Sequence, residues 1–158
     1  MTYLQARYPD DFSHCHGCGR LNADGLHVQS EWRGDHAVAR HVPAPSHMAV
    51  PGFVYGGLLA SLVDCHGIAT AAASWMAARG EDPHVAPMAR FVTARLDVQY
   101  LAPTPMGPAL ELVARATEVG TRKAVVEVTV RAEGVECVRG TVVGVVIPER
   151  MMRPPDAA

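Results

Sequence analysis

Between Tyr55 and Arg79 an apolar run carries a single acid, Asp64, a little beyond a Gly56-Gly57 pair. Leu58, Leu59, Leu62 and Val63 precede the acid, and Ile68 with a run of alanines follows it. A carboxylate in that company loses hydration, so it must find a partner, raise its pKa or line a cavity. Glycines at a helix start leave unpaired N–H groups open to close approach, and such donors stabilise the oxyanion that forms when a carbonyl is attacked. A carboxylate with a raised pKa supplies the matching base or nucleophile near neutral pH. Together the two features suit acyl transfer. Each also has a structural alternative: a tight turn or close packing contact for the glycines, and for Asp64 a role in capping a partner loop or pairing with an arginine.

Helix geometry adds a constraint. At about 1.5 Å per residue, Asp64 lies about 12 Å along the axis from Gly56, on nearly the same face. One carbonyl cannot touch both on one helix. An antiparallel partner helix, bringing Gly56 of one subunit to Asp64 of the other, meets the requirement, and a two-fold homodimer is expected.

The surrounding chain must hold that helix. "GLHVQSEW" (25–32) and "HAVARHV" (36–42) alternate apolar and polar residues around Arg33-Gly34-Asp35 and predict a hairpin. "PAPSHMAVPG" (43–52) stops the strand and forms a loop. The helix is predicted from about Tyr55 to Arg79, ending near Gly80, and its lack of surface charge implies burial on nearly every side. Four strand-like runs follow: "MARFVTARLDVQYLAP", "ALELVARATEVG", "KAVVEVTVRAEG" and "VECVRGTVVGVVIP". The order ββ-α-ββββ with short connections predicts an α+β domain, an antiparallel sheet of five to six strands wrapped around one long central helix. Residues 1–150 read as one domain and 151–158 as a loose Pro-rich tail.

With 158 residues, 49% apolar and 19% charged, the chain is neither disordered nor too small for a core of its own. A formal charge of −2 supplies no basic footprint, so neither nucleic acid nor a membrane is an expected partner. The start of the chain lacks a signal-peptide core and the four cysteines are sparse, so a cytoplasmic protein with reduced thiols is expected.

These residues resemble a known family, the hotdog-fold acyl-CoA thioesterases of the phenylacetate-pathway and 4-hydroxybenzoyl-CoA type. The family's His-Gly-Gly, followed seven residues later by Asp or Glu on the central helix, stands here as Tyr55-Gly56-Gly57 and Asp64. "HMAVPGFV" is similar to the family's loop into the helix, "CHGCGRLNADGL" to a Cys-x-x-Cys-Gly opening, and "TARLDVQYLAPTP" to the strand after the helix. The resemblance implies a hotdog fold and hydrolysis of an acyl-CoA thioester without metal or organic cofactor, by a homodimer or a dimer of dimers. By the same resemblance the Gly56 N–H polarises the carbonyl, Asp64 attacks it or activates water, and Thr93 supplies a hydroxyl beside that water. A non-catalytic acyl-CoA or lipid-binding hotdog protein is the alternative; it would keep the glycines and the pocket without needing Asp64.

Tyr55 replaces the family histidine, and a packing or hydrogen-bonding role at the pocket mouth is expected for it. Thr93 has the alternative of being an ordinary strand residue. His47, in the loop before the glycines, is a candidate for lining the pocket. Arg90, Arg122 and Lys123 are candidates for the CoA phosphates, although Arg122 and Lys123 also suit a solvated turn. His14, Cys15, His16 and Cys18 hint at zinc spacing, but no second pair follows, and Cys65 and Cys137 lie in apolar runs; the first four read as a structural turn and no metal site is expected. His66 is turned about 200° from Asp64 on the helix and reads as a packed or interfacial histidine.

Overall fold

The structure, a computed structural model, describes residues 2–152. Strands β1 (Ser30–Trp32) and β2 (Ala37–His41) precede the helix α1 (Gly56–Ala77), and β3 (Phe91–Tyr100), β4 (Leu110–Val119), β5 (Lys123–Ala132) and β6 (Val135–Val146) follow it. The strands form one sheet in the order β1-β2-β4-β5-β6-β3, antiparallel throughout. One long helix lies against this six-stranded sheet in the hotdog arrangement.

Alternation in sequence becomes alternation in burial. Along β5, Ala124, Val126, Val128, Val130 and Ala132 are buried, and the outward positions between them are more exposed. With one side-chain face committed to the core, a slip of one residue would turn the whole apolar set to solvent, so the register is tightly specified. Small residues then let the helix approach closely. A Cβ on Gly67 would lie 2.6 Å from Val142 Cγ2, and one on Gly140 would lie 2.3 Å from Val63 Cγ1.

The helix α1 is long and apolar enough to cross a membrane, yet 67% of its most apolar window is buried inside this protein, as befits a core helix. It stops slightly before the expected end. Gly80 takes a φ of +77°, which glycine adopts without strain, and Glu81 N–H donates back to the Met76 carbonyl. Arg79 folds over the Trp75 ring at 3.7 Å and donates to the Thr121 carbonyl, joining this end of α1 to the β4–β5 turn.

The first hairpin differs more from expectation. Only Ser30–Trp32 of the run 25–32 pairs as a strand. Upstream, the backbone donors face a different partner: Leu26 N–H donates to the His16 carbonyl and Val28 N–H to that of Gly17. A ladder is thereby replaced by a loop stitched to the Cys15–Cys18 turn. Of the expected tail, Glu149–Met151 forms a short 3₁₀ turn, while residues 153–158 lie outside the described residues.

Candidate active site

Asp64 projects from the middle of α1 into a cavity of about 300 Å³ whose walls include Phe12, Ile68, Phe91 and Thr93. Thr93 Oγ1 donates to Asp64 Oδ1 at 2.5 Å. Strand β3 is irregular at this point: its register with β6 shifts between Thr93 and Arg95. Such bulges re-aim side chains, and here the hydroxyl is presented to a carboxylate on the neighbouring helix. Burial pushes the Asp64 carboxyl above its ordinary pKa, the Thr93 hydrogen bond opposes that shift, and the charge of Cys15 adds to it. The second carboxylate oxygen has no hydrogen-bond donor among the described residues.

The glycine pair lies at the other end of the helix segment. Tyr55 is the N-cap but makes no side-chain cap, and the Gly56 N–H has no backbone acceptor among the described residues. The donor therefore faces outward unpaired, as the first turn of a helix permits. Tyr100 closes over the opposite pole of the same residue, its hydroxyl donating to the Gly56 carbonyl at 2.9 Å. Gly56, Leu59, Phe53 and Tyr100 line a second cavity of about 450 Å³, which shares no wall residue with the one around Asp64. Within the chain, Gly56 and the Asp64 carboxylate thus border separate spaces.

The Tyr55 ring lies across the helix start. A Cβ on Gly57 would come within 2.4 Å of Tyr55 Cε2, so Gly57 makes room for the ring. The Tyr55 hydroxyl makes no hydrogen bond among the described residues. His47 stands behind it, with ring centroids 6.3 Å apart, and is stacked on His41 at 6.2 Å. His47 Nδ1 accepts from the Ala44 N–H, which orients the ring in its own loop, and His47 borders neither cavity.

Two of the three expected cations are engaged by acids. Arg90 grips both oxygens of Asp11 at 2.6 and 2.8 Å. Lys123 pairs with Glu118 at 3.1 Å in the β4–β5 turn, and Arg122 is exposed beside it. His66, by contrast, is fully buried on the far side of α1.

One grouping escaped the sequence reading. Cys65, the residue after Asp64, meets Cys15 and Cys18, and the three sulfurs lie within 4.8 Å of one another on the wall of the Asp64 cavity. The Cys-x-x-Cys was visible in sequence. Its third member was not, because no local spacing ties Cys65 to a turn fifty residues away.

Comparison with known proteins is consistent with this architecture. A thioesterase superfamily model matches residues 51–138, more than half of the chain. A crystal structure of a thioesterase superfamily protein from Shewanella loihica is 45% identical, with a TM-score of 0.65, and the match covers 89% of this chain and 100% of that one. A Streptococcus mutans protein bound to acetyl CoA shares the fold at 20% identity and a TM-score of 0.62, covering 76% of this chain and 88% of that one. A hypothetical thioesterase from Streptococcus pneumoniae with coenzyme A does so at 20% identity and 0.60, covering 76% and 85%. None of the curated proteins matches.

Proposed function

The chain belongs to the thioesterase superfamily, and on that premise we propose that it hydrolyses an acyl-CoA thioester to the free acid and CoA. The observation that carries the proposal is the Asp64 carboxylate on the wall of an apolar cavity, held on one oxygen by Thr93 and open on the other. Two routes lead from that geometry. In one, the open oxygen takes a proton from a water molecule as the water adds to the carbonyl carbon; in the other, it adds to that carbon itself, and water cleaves the resulting anhydride. Either way the carbonyl oxygen gains negative charge beside the Gly56 N–H. Collapse of the tetrahedral species expels the CoA thiolate, which takes up a proton.

The helix spacing and the two separate cavities support a shared site, with Gly56 from one protomer and Asp64 from its partner. Strand β3 supports the same assembly. It is one of the two outer strands of the sheet, paired only with β6 among the described residues, and it carries exposed Leu96 and Tyr100. A dimer of dimers is compatible with this contact. The CoA ligands of the two streptococcal proteins support a CoA ester as the substrate class, and the Gly-Gly and Asp spacing supports a place among the phenylacetate-pathway type. Arg122, exposed and next to Lys123, is the cation best suited to a CoA phosphate, since Arg90 is engaged by Asp11. Four free cysteines support a reducing, cytoplasmic setting.

The test is thiol release from short, long and aromatic acyl-CoAs by the wild type and by Asp64→Asn. The variant is expected to lose at least about 10²-fold in kcat while acyl-CoA binding stays nearly intact. Binding without thiol release from any ester by the wild type would make the protein a carrier. Undiminished hydrolysis in Asp64→Asn would remove the carboxylate from the mechanism. The shared site has its own test: two inactive chains, Asp64→Asn and Gly56→Val, are expected to regain about a quarter of wild-type activity when unfolded and refolded together, because half of the dimers then hold one intact site.

A further inference from the structure

We propose that Cys15, Cys18 and Cys65 form a three-thiolate site for a zinc-class divalent cation, fastening the N-terminal loop to α1 beside Asp64. Cys15 Sγ and Cys65 Sγ are 3.9 Å apart, and all three sulfurs lie within 4.8 Å of one another. A tetrahedral zinc with Zn–S bonds of about 2.3 Å holds its sulfurs about 3.8 Å apart, so little movement is needed to seat the ion. All three thiols are free, and soft sulfur donors select zinc over hard cations such as magnesium or calcium.

The backbone of the turn is shaped to these sulfurs. A Cβ on Gly17 would lie 2.1 Å from Cys65 Sγ, and one on Gly19 would lie 2.5 Å from both the Cys15 nitrogen and the Ser13 carbonyl oxygen. The turn is therefore drawn in against the helix as far as glycine allows. Gly19 N–H closes it onto the Cys15 carbonyl at 2.8 Å. Hydrogen bonding from Cys18, then from Cys65, and the Cys18 and Gly17 amides hold the Cys15 thiol far below its ordinary pKa, to about 2. The contact with Cys15 pushes both Cys18 and Cys65 up. Seating a divalent ion displaces the thiol protons to solvent and leaves three thiolates around it, with no change of oxidation state.

Simple packing does not account for the group. Cys65 is buried and Cys18 half-buried, but Cys15 is exposed, so core packing does not explain its place beside them. Three thiolates occupy three corners of a tetrahedron. The group holds no fourth side-chain donor among the described residues, so the fourth corner is left to water. The loop that the ion would fasten is the one whose Leu26 and Val28 amides bond to the turn instead of pairing as a strand.

The full-length protein, purified in reductant, is assayed for metal by mass spectrometry, stripped with a chelator, and titrated with Zn²⁺ and with Co²⁺ as a spectroscopic substitute. The expected result is one ion per chain, a thiolate-to-cobalt charge-transfer band with tetrahedral visible bands, and slower amide exchange over residues 13–28 on metal addition. Cys15→Ser and Cys65→Ala are each expected to weaken binding by at least about 10²-fold, and Cys137→Ala to retain it. Because Cys15 is exposed, its variant keeps the fold and tests the site even if Cys65→Ala does not. No charge-transfer band with folded, reduced wild type would overturn the proposal. So would cobalt binding that survives Cys15→Ser, or a disulfide joining two of the three thiols in protein kept under reductant. None of these readouts depends on thioester hydrolysis.

Discussion

Asp64 and His66 stand two positions apart on α1, and the fold treats them in opposite ways. The helix turns His66 away from the cavity, into a space with no exposure to solvent. There its Nδ1 shares a 2.8 Å hydrogen bond with Ser30 Oγ, and Ser30 is tied in turn to Gln5 by bonds of 2.9 and 2.7 Å. Nε2 has no well-formed partner among the described residues. Burial presses the ring toward its neutral form, lowering its pKa to about 4 against a slight opposing pull from the Ala37 backbone. Asp64 keeps partial access to a cavity and has a single donor on one oxygen. A buried imidazole bonded to Ser30, and through it to Gln5, anchors a fold, whereas a half-desolvated acid with an open oxygen suits the chemistry proposed for it. The contrast teaches how one helix can serve both ends at once.

The sharpest way to break that contrast is to neutralise each residue in turn. Asp64→Asn, which is expected to lose at least about 10²-fold in kcat, is expected to keep or raise its melting temperature, since a carboxyl resisting ionisation is replaced by a neutral amide. His66→Ala is expected to do the reverse, losing about 3 kcal/mol of stability from the vacated ring and the lost bond to Ser30 while the folded fraction keeps its turnover. Thermal melts and thiol release on the same two preparations check both. A large fall in the melting temperature of Asp64→Asn with unchanged hydrolysis would erase the distinction.

Acid gives a second handle on His66. Its folded pKa of about 4 lies below the ordinary 6.5, so the unfolded chain binds the proton first. Its contribution to stability is therefore fully present above about pH 6.5, is lost as pH falls from there to about 4, and levels off below. The two values differ by about 3 kcal/mol in free energy. Denaturant melts at pH 7, 5.5 and 4, with chelator present throughout, are expected to show the decline in the wild type and a flatter profile in His66→Gln.

Smaller effects sharpen the other half of the comparison. Thr93→Val removes the only donor on Asp64 among the described residues, and a fall of about 10-fold in kcat is expected with little change in melting, because Thr93 is exposed. Tyr55→Phe is expected to alter kcat less than about 3-fold, since the ring packs over Gly57 and its hydroxyl makes no hydrogen bond among the described residues. A loss of several orders of magnitude there would turn the phenol into a chemical participant.

Local pattern was enough for the element order, because period-2 alternation and an unbroken apolar run report burial directly. It also exposed Gly56 and Asp64, whose oddity is visible within ten residues: a glycine pair at a helix start and an acid where none belongs. The sequence by itself therefore determined the β-strand and helix order, the sites where chemistry could start, and the conflict of distance between them. Only the tertiary structure decided what those residues meet. The bulge in β3 brings the Thr93 hydroxyl to Asp64 from 29 positions away, His66 finds Ser30 36 positions upstream, and Cys65 joins a turn 50 positions before it. The same turn takes the amides of Leu26 and Val28 and keeps that stretch out of the sheet despite its strand-like alternation. Side-chain and loop partners of this kind are set by the packing of α1 on the curled sheet, and a local period records which face is buried but not which residue waits on the other side.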